Sequence, residues 1–158
     1  MYIDELEQFA EQFLIEHYQI TLSIPVERNN RLKSTHGRFI IKNNRPQKIE
    51  LAGHLLKYGA AHFIYGVLKH ECIHYALYIQ GKDYVDGNPV FEAELKKHNA
   101  PRTRTLKIGN FIVFTCNHCG NQIETRRKRV AKHPEEYRTA CCGAMLTVVG
   151  ETAYNGTE

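Results

Sequence analysis

The chain reads as an α+β fold in the order helix, small antiparallel sheet, long buried helix, and then a small β-rich module. Three observations point there. Apolar residues recur at three- and four-residue steps over Ile3–Tyr18 and again over 59–79, the helical period. Between those stretches lie short runs rich in β-branched residues, divided by Asn, Gly and Pro. Past residue 100 the character changes, and strand-like runs alternate with cysteines and a basic loop.

In the first helix, Ile3, Leu6, Ala10, Phe13, Leu14 and His17 share one face. The runs TLSIPV (21–26), GRFIIK (37–42) and KIELA (48–52) follow, separated by Asn29-Asn30, Gly37, Asn43-Asn44 and Pro46. That punctuation predicts a small sheet joined by short connections. Phe63, Ile64, Val67, Leu68, Ile73 and Leu77 then space a largely buried helix over 59–79, which Gly81 ends. A turn at 86–89 leads into a third helix over 90–98, closed by Pro101. The last strands are expected at NFIVFTC (110–116), QIETRR (122–127) and MLTVVG (145–150).

With 158 residues, 42% hydrophobic and 24% charged, the composition is that of a globular chain and excludes wholesale disorder. No apolar run approaches the ~18 residues of a spanning helix. The opening MYIDELEQF is acidic and amphipathic, unlike a signal peptide, which predicts a cytosolic protein without membrane contact. The five cysteines are an odd number: Cys72 stands alone, and Cys116, Cys119, Cys141 and Cys142 crowd the last third. In a reducing compartment that pattern favours metal binding over disulfides. Charge is uneven too. Residues 1–100 hold 12 Lys+Arg and 12 Asp+Glu, whereas residues 101–158 hold 9 and 5, which is the whole net charge of +4.

His70-Glu71-Cys72-Ile73-His74 is an H-E-x-x-H motif in the middle of the long helix. Four residues turn an α-helix through about 400°, so both imidazoles stand on one face, one turn apart. They can share one zinc ion, with Glu71 one step round as general base toward a water on the metal. Three ionisable groups in an apolar helix are costly without a partner, and a metal supplies one. A catalytic zinc needs a third protein ligand. Asp86, Glu92, Glu94 and His98 downstream are candidates, with His54 and His62 upstream less natural. Cys72 is expected to be a small hydrophobe. Tyr75 and Tyr84 are expected to pack, although either could donate to an oxyanion.

Several ordered pieces around this motif resemble the SprT-like family of zinc metallopeptidases, which includes eukaryotic proteases acting on DNA–protein crosslinks. Asn29-Asn30-Arg31-Leu32, Thr35, Gly37-Arg38-Phe39 and Ile49-Glu50-Leu51 precede the motif in the family's order. Gly81-Lys82, Tyr84, Phe91, Leu95-Lys96-Lys97 and Ala100-Pro101-Arg102 follow it. The resemblance implies a zincin-like domain over 1–105, a zinc-ribbon-like module over 106–150 and a disordered tail over 151–158. It also implies zinc on His70 and His74, with Glu71 as the catalytic carboxylate. Where the family commonly carries a third His, alignment places Asp86. A carboxylate can ligate zinc, but its charge makes the metal a weaker Lewis acid.

Cys116-Asn117-His118-Cys119-Gly120 is a good first knuckle for a structural zinc. The second is atypical: the chain offers Cys141-Cys142-Gly143, with Thr139 where the earlier cysteine is expected. Adjacent cysteines are expected to strain the backbone if both bind, and His118 or His133 could complete the site instead. Between the knuckles, where a ribbon places a hairpin, lie Arg126, Arg127, Lys128, Arg129 and Lys132. These could neutralise phosphates of DNA or RNA, with Phe111, Phe114 and Tyr137 as stacking surfaces. Two functions follow as expectations. The first is a zinc metallopeptidase acting on nucleic-acid-associated proteins, and the alternative is a non-catalytic, zinc-containing nucleic-acid-binding protein.

Overall fold

The first helix, α1 (Ile3–Tyr18), forms where its periodicity places it and buries Leu6, Ala10, Phe13 and Leu14. Our computed structural model describes residues 2–156. Among them, two three-stranded sheets and several helices make a mixed α+β fold.

The first sheet contains β1 (Val26–Asn29), β2 (Gly37–Lys42) and β3 (Arg45–Ala52), in the order β1-β3-β2. Asn43 and Asn44 take φ values of 53° and 58°, the left-handed turn that closes the β2–β3 hairpin. The expected all-antiparallel sheet is corrected here. The hairpin occupies one edge of β3, and β1 docks on the other edge running parallel to it. The run 21–26 also enters the ladder only at Val26. Its earlier residues serve the core as loop, with Leu22 and Ile24 buried.

Helix α2 (Gly53–Tyr58), too short for a periodic signal, follows β3 directly. It leads to α3 (Ala61–Ile79), in which Ile64, Val67, Leu68, Ile73 and Leu77 are buried as the spacing predicts. Gly81, at φ 69°, takes the left-handed conformation that lets the chain leave the helix. Asn88 caps α4 (Pro89–Lys97) by accepting from the Val90 N–H at 2.9 Å, and Pro89 supplies the first helical position.

The second sheet has the order β5-β4-β6, with β4 (Ile108–Cys116) pairing antiparallel to β5 (Gln122–Thr125) and β6 (Leu146–Asn155). Residues 151–155, expected as a disordered tail, are instead the second half of β6. Tyr154 and Thr152 pair with Gly109 and Phe111, and the Asn155 carbonyl accepts from Ala60 N–H at 3.0 Å. Thr157 and Glu158 lie outside the described residues. Leu106 and Ile108, the opening of the expected second module, are buried in the same core as α1, α3 and β3. A second core is much smaller, with Phe114, Val130 and Leu146 at its centre. The segment between the knuckles is not a hairpin; after β5 it forms one helical turn, α5 (Arg129–Lys132), and a 3₁₀ turn at Pro134–Glu136.

Candidate metal centre

Helix α3 carries His70, Glu71 and His74 on its buried length, each less than a tenth exposed. One turn of helix brings the two imidazole centroids to 4.9 Å. Phe91 of α4, fully buried, stacks on His74 at 4.0 Å and meets His70 edge-on at 5.1 Å. The far nitrogen of each ring is fixed by backbone. His70 Nδ1 donates to the Pro101 carbonyl at 2.8 Å, and His74 Nδ1 donates to the Tyr84 carbonyl. These carbonyls hold a proton on Nδ1 of both rings; without a metal His70 can carry a second proton on Nε2 toward Asp86, and loss of that proton frees Nε2 as a ligand atom.

Asp86, in the turn before α4, meets both Nε2 atoms. Its Oδ1 lies 3.0 Å from His70 Nε2 and 3.5 Å from His74 Nε2. His70, His74 and Asp86 thus offer three ligand atoms within 4.8 Å of one another. Three lone-pair donors facing one point repel each other unless a cation lies between them, and imidazole with carboxylate is a donor set that suits zinc. The residues fit a metal. Burial works against charge on His70, but the Asp86 hydrogen bond and the Glu71 charge outweigh it and raise its pKa. Burial holds His74 below the ordinary histidine value, and the His70 contact holds Asp86 below the usual carboxylate range.

Glu71 is pushed up to about 7 by burial, which the charge of His70 opposes. It faces a cleft of about 460 Å³ whose walls include Gly37, Arg38 and Phe39 of β2, then Asp86, Thr103 and Arg104. Gly37 permits that approach, because a Cβ there would lie 3.1 Å from Val67 and 3.3 Å from the Glu71 side chain.

The other candidate ligands are engaged elsewhere. Glu92 pairs with Arg102 at 3.0 Å, and Glu94 accepts from the Tyr18 hydroxyl at 2.6 Å. His98 packs between Phe13 and His17, His62 lies against Phe63, and His54 bonds His36 at 2.9 Å. Tyr75 donates its hydroxyl to the Thr21 carbonyl, away from the cleft. Tyr84 lines the cleft, and its contribution to the centre is a backbone carbonyl. Cys72 is fully buried and its thiol is pushed up by burial, in keeping with a small hydrophobe. The carbonyls of Pro101 and Tyr84 were missed by sequence reasoning, since a backbone oxygen leaves no side-chain signal.

Four thiols gather a second time. Cys116 at the end of β4, Cys119 in the following turn, and Cys141 and Cys142 before β6 bring their sulfurs within 4.8 Å of one another. All five cysteines are free thiols. Neither Cys141 nor Cys142 takes a positive φ, and Gly143 carries the turn at φ 62°. The Cys119 N–H, and then the Thr139 hydroxyl at 3.2 Å, pull Cys116 down to about 6, which favours a thiolate ligand. His118 and His133 are outside this group, and His133 faces Glu135 at 3.4 Å.

Within the basic tract Arg126 donates inward to the Lys33 and Ile108 carbonyls, Arg129 is bound to Glu136 by bonds of 2.8–3.0 Å, and Lys128 lines a cavity together with Arg126. Phe111 and Phe114 are buried and present no stacking face, and Tyr137 packs on the small core.

The SprT-like family model matches residues 3–109. The chain belongs to the SprT-like family. It is 31% identical to the Protein SprT-like of Bacillus subtilis (strain 168) over 148 residues, 90% of this chain and 94% of that one. With the Protein SprT-like of Bacillus cereus (strain ATCC 14579) identity is 27% over 154 residues, 94% and 97% of the two chains. That of Bacillus velezensis (strain DSM 23117) is 28% identical over 150 residues, 90% and 95%. These SprT-like relatives therefore extend through the cysteine-bearing sheet, beyond the region the family model matches. No helix among the described residues is long and apolar enough to cross a membrane.

Proposed function

We propose that this SprT-like chain is a zinc-dependent peptide hydrolase of the cytosol, with a zincin-type centre on α3. One observation supports it above the rest: two backbone-fixed imidazoles and a carboxylate turn lone pairs to one point, beside a buried glutamate. His70, His74 and Asp86 would hold the ion. Bound there, zinc would polarise a peptide carbonyl and ease the ionisation of water. Glu71 is the group that takes the proton from the attacking water and returns it to the departing amine. A buried carboxyl one position round the helix from the ion is placed for both tasks. Strand β2 is an edge strand along the cleft, a placement that suits an extended peptide laid beside it. The four thiols would hold a second, structural zinc in a ribbon-like module.

Asp86 brings negative charge where a third imidazole would bring none, so slow turnover is expected. That feature, with the whole net charge of +4 lying in residues 101–158, favours the second reading, a non-catalytic zinc protein that binds DNA or RNA. In either case a polyanion is the partner the charge suits, and proteins associated with nucleic acid are the natural substrates of the first.

Glu71→Gln separates the two. It should lower cleavage of an unfolded protein substrate, assayed with and without DNA, by about 10²–10⁴-fold, and leave zinc content at the wild-type level. Undiminished cleavage by that variant would remove Glu71 from the mechanism. Absence of any cleavage by the wild-type, zinc-loaded chain would favour the binding protein.

A further inference from the structure

A second cavity, about 240 Å³, opens beside α2, which packs against both sheets. Five cations from separate parts of the chain line it: Arg28 of β1, Lys33 of the following loop, Lys57 of α2, and Arg126 and Lys128 after β5. Among the described residues no carboxylate lines it. Like charges gathered this closely repel, and a fold keeps them together at a cost unless an anion compensates them.

Arg126 is the fixed member. It donates to the Lys33 carbonyl at 2.8 Å and the Ile108 carbonyl at 2.9 Å, and it stacks on Phe111 at 4.9 Å. Its charge thus sits at the seam between the two halves, held among the described residues by neutral groups. Its buried Nε has no partner among the described residues, and neither has the buried Nδ1 of His54, which lines the same cavity. Burial first, and then the positive charge of Arg126, depress His54 to about 4, a mark of the positive potential there.

The geometry points to a phosphate-group site in this cavity, taking one phosphate of a nucleic-acid backbone or of a free polyphosphate. Guanidinium and ammonium groups drawn from several directions around one cavity suit a phosphate's several oxygens. The site deepens the polyanion part of the proposed function and requires nothing of the metal centre. It also differs from the tract 126–132 read in sequence, since three of its five cations come from residues 28–57.

The test uses the full-length, zinc-loaded chain with a fluorescent single-stranded oligonucleotide and, separately, with inorganic pyrophosphate in calorimetry. Arg28→Gln with Lys57→Gln removes two exposed charges from the cavity. Arg127→Gln with Lys132→Gln removes two outside it. The cavity pair should weaken oligonucleotide binding at least about ten-fold and lower the salt slope by about 1.4, that is ~0.7 per lost contact. The outside pair should change affinity less than about two-fold, and unchanged melting curves certify both folds. Binding of pyrophosphate alone, lost in the cavity pair, would uphold the site while overturning the nucleic-acid partner. Oligonucleotide binding that both pairs weaken equally, or that neither weakens, would overturn the site and leave that partner standing. If neither probe binds the wild-type chain, both are overturned.

Discussion

His70 and His74 could be named from a five-residue motif, but what prepares them for a metal could not. Their Nδ1 atoms are held by the carbonyls of Pro101 and Tyr84, supplied by loops 31 and 10 residues away. Gly66 makes the first of these contacts possible. It lies one turn before His70, and a Cβ there would meet Pro101 Cδ at 3.0 Å. Gly66→Ala should displace the Pro101 loop, cost about 1–3 kcal/mol of stability, and weaken zinc binding about 10–100-fold. Competition against a chelator measures the latter; unchanged affinity would show that the carbonyl does not orient the ring. A second buried pair makes a pH prediction. His36 and His54 are both held below the ordinary histidine value by burial, His54 at about 4. An unfolded chain protonates them near ~6.5, so the stability of the neutral pair is complete above that pH and is lost as pH falls toward about 4. His54→Gln should therefore flatten the decline of thermal stability between these limits. An unchanged slope in phosphate-free buffer would contradict this.

The helices were readable because their signal is local. α1 matches its expected span, and α3 and α4 match within two residues at either end, since each shows an apolar face or a cap in its own sequence. Strand existence was readable on the same ground, but pairing was not. β1 takes the free edge of β3 because the β2–β3 hairpin already holds the other, and it runs parallel there, a pairing made between distant segments. α2 and α5, at 6 and 4 residues, are too short to show a period. The misread tail is the most consequential case. Residues 151–155 are mostly polar, with only Thr152 and Tyr154 alternating as β-prone residues, too short a signal to betray a strand, yet they pair with Ile108–Ile112 and reach Ala60. Ending the chain at residue 150 should lower the melting temperature by more than about 4 °C, the shift for ~1 kcal/mol in a chain of this size. A disordered tail would leave the melting temperature unmoved.

Across the molecule, two cores of unequal size carry two candidate metal sites. The large one runs from Leu6 to Ile108 and encloses the H-E-x-x-H helix, so the His70–His74–Asp86 centre rests on extensive apolar packing. The small one, centred on Phe114, Val130 and Leu146, borders the four thiols and is too slight to hold its turns in place by burial alone. The uneven charge read from composition belongs to this architecture as well. Cations of the balanced first hundred residues fold against those of the basic remainder, a meeting that only the tertiary structure reveals. Asp86 shows the same limit at the metal centre: its place beside two imidazoles was suggested by family resemblance, while its spacing from the motif carries no periodic signal. The measurement that bears most directly on the account is zinc per chain, by elemental analysis of natively purified protein beside a His70→Ala, His74→Ala double variant. The account predicts about two zinc ions in the wild type and one in the variant, the survivor lost in turn from Cys116→Ser, Cys119→Ser. Equal zinc in the wild type and the histidine variant would mean that the helix of the H-E-x-x-H motif holds no metal, and the hydrolase reading would fall with it.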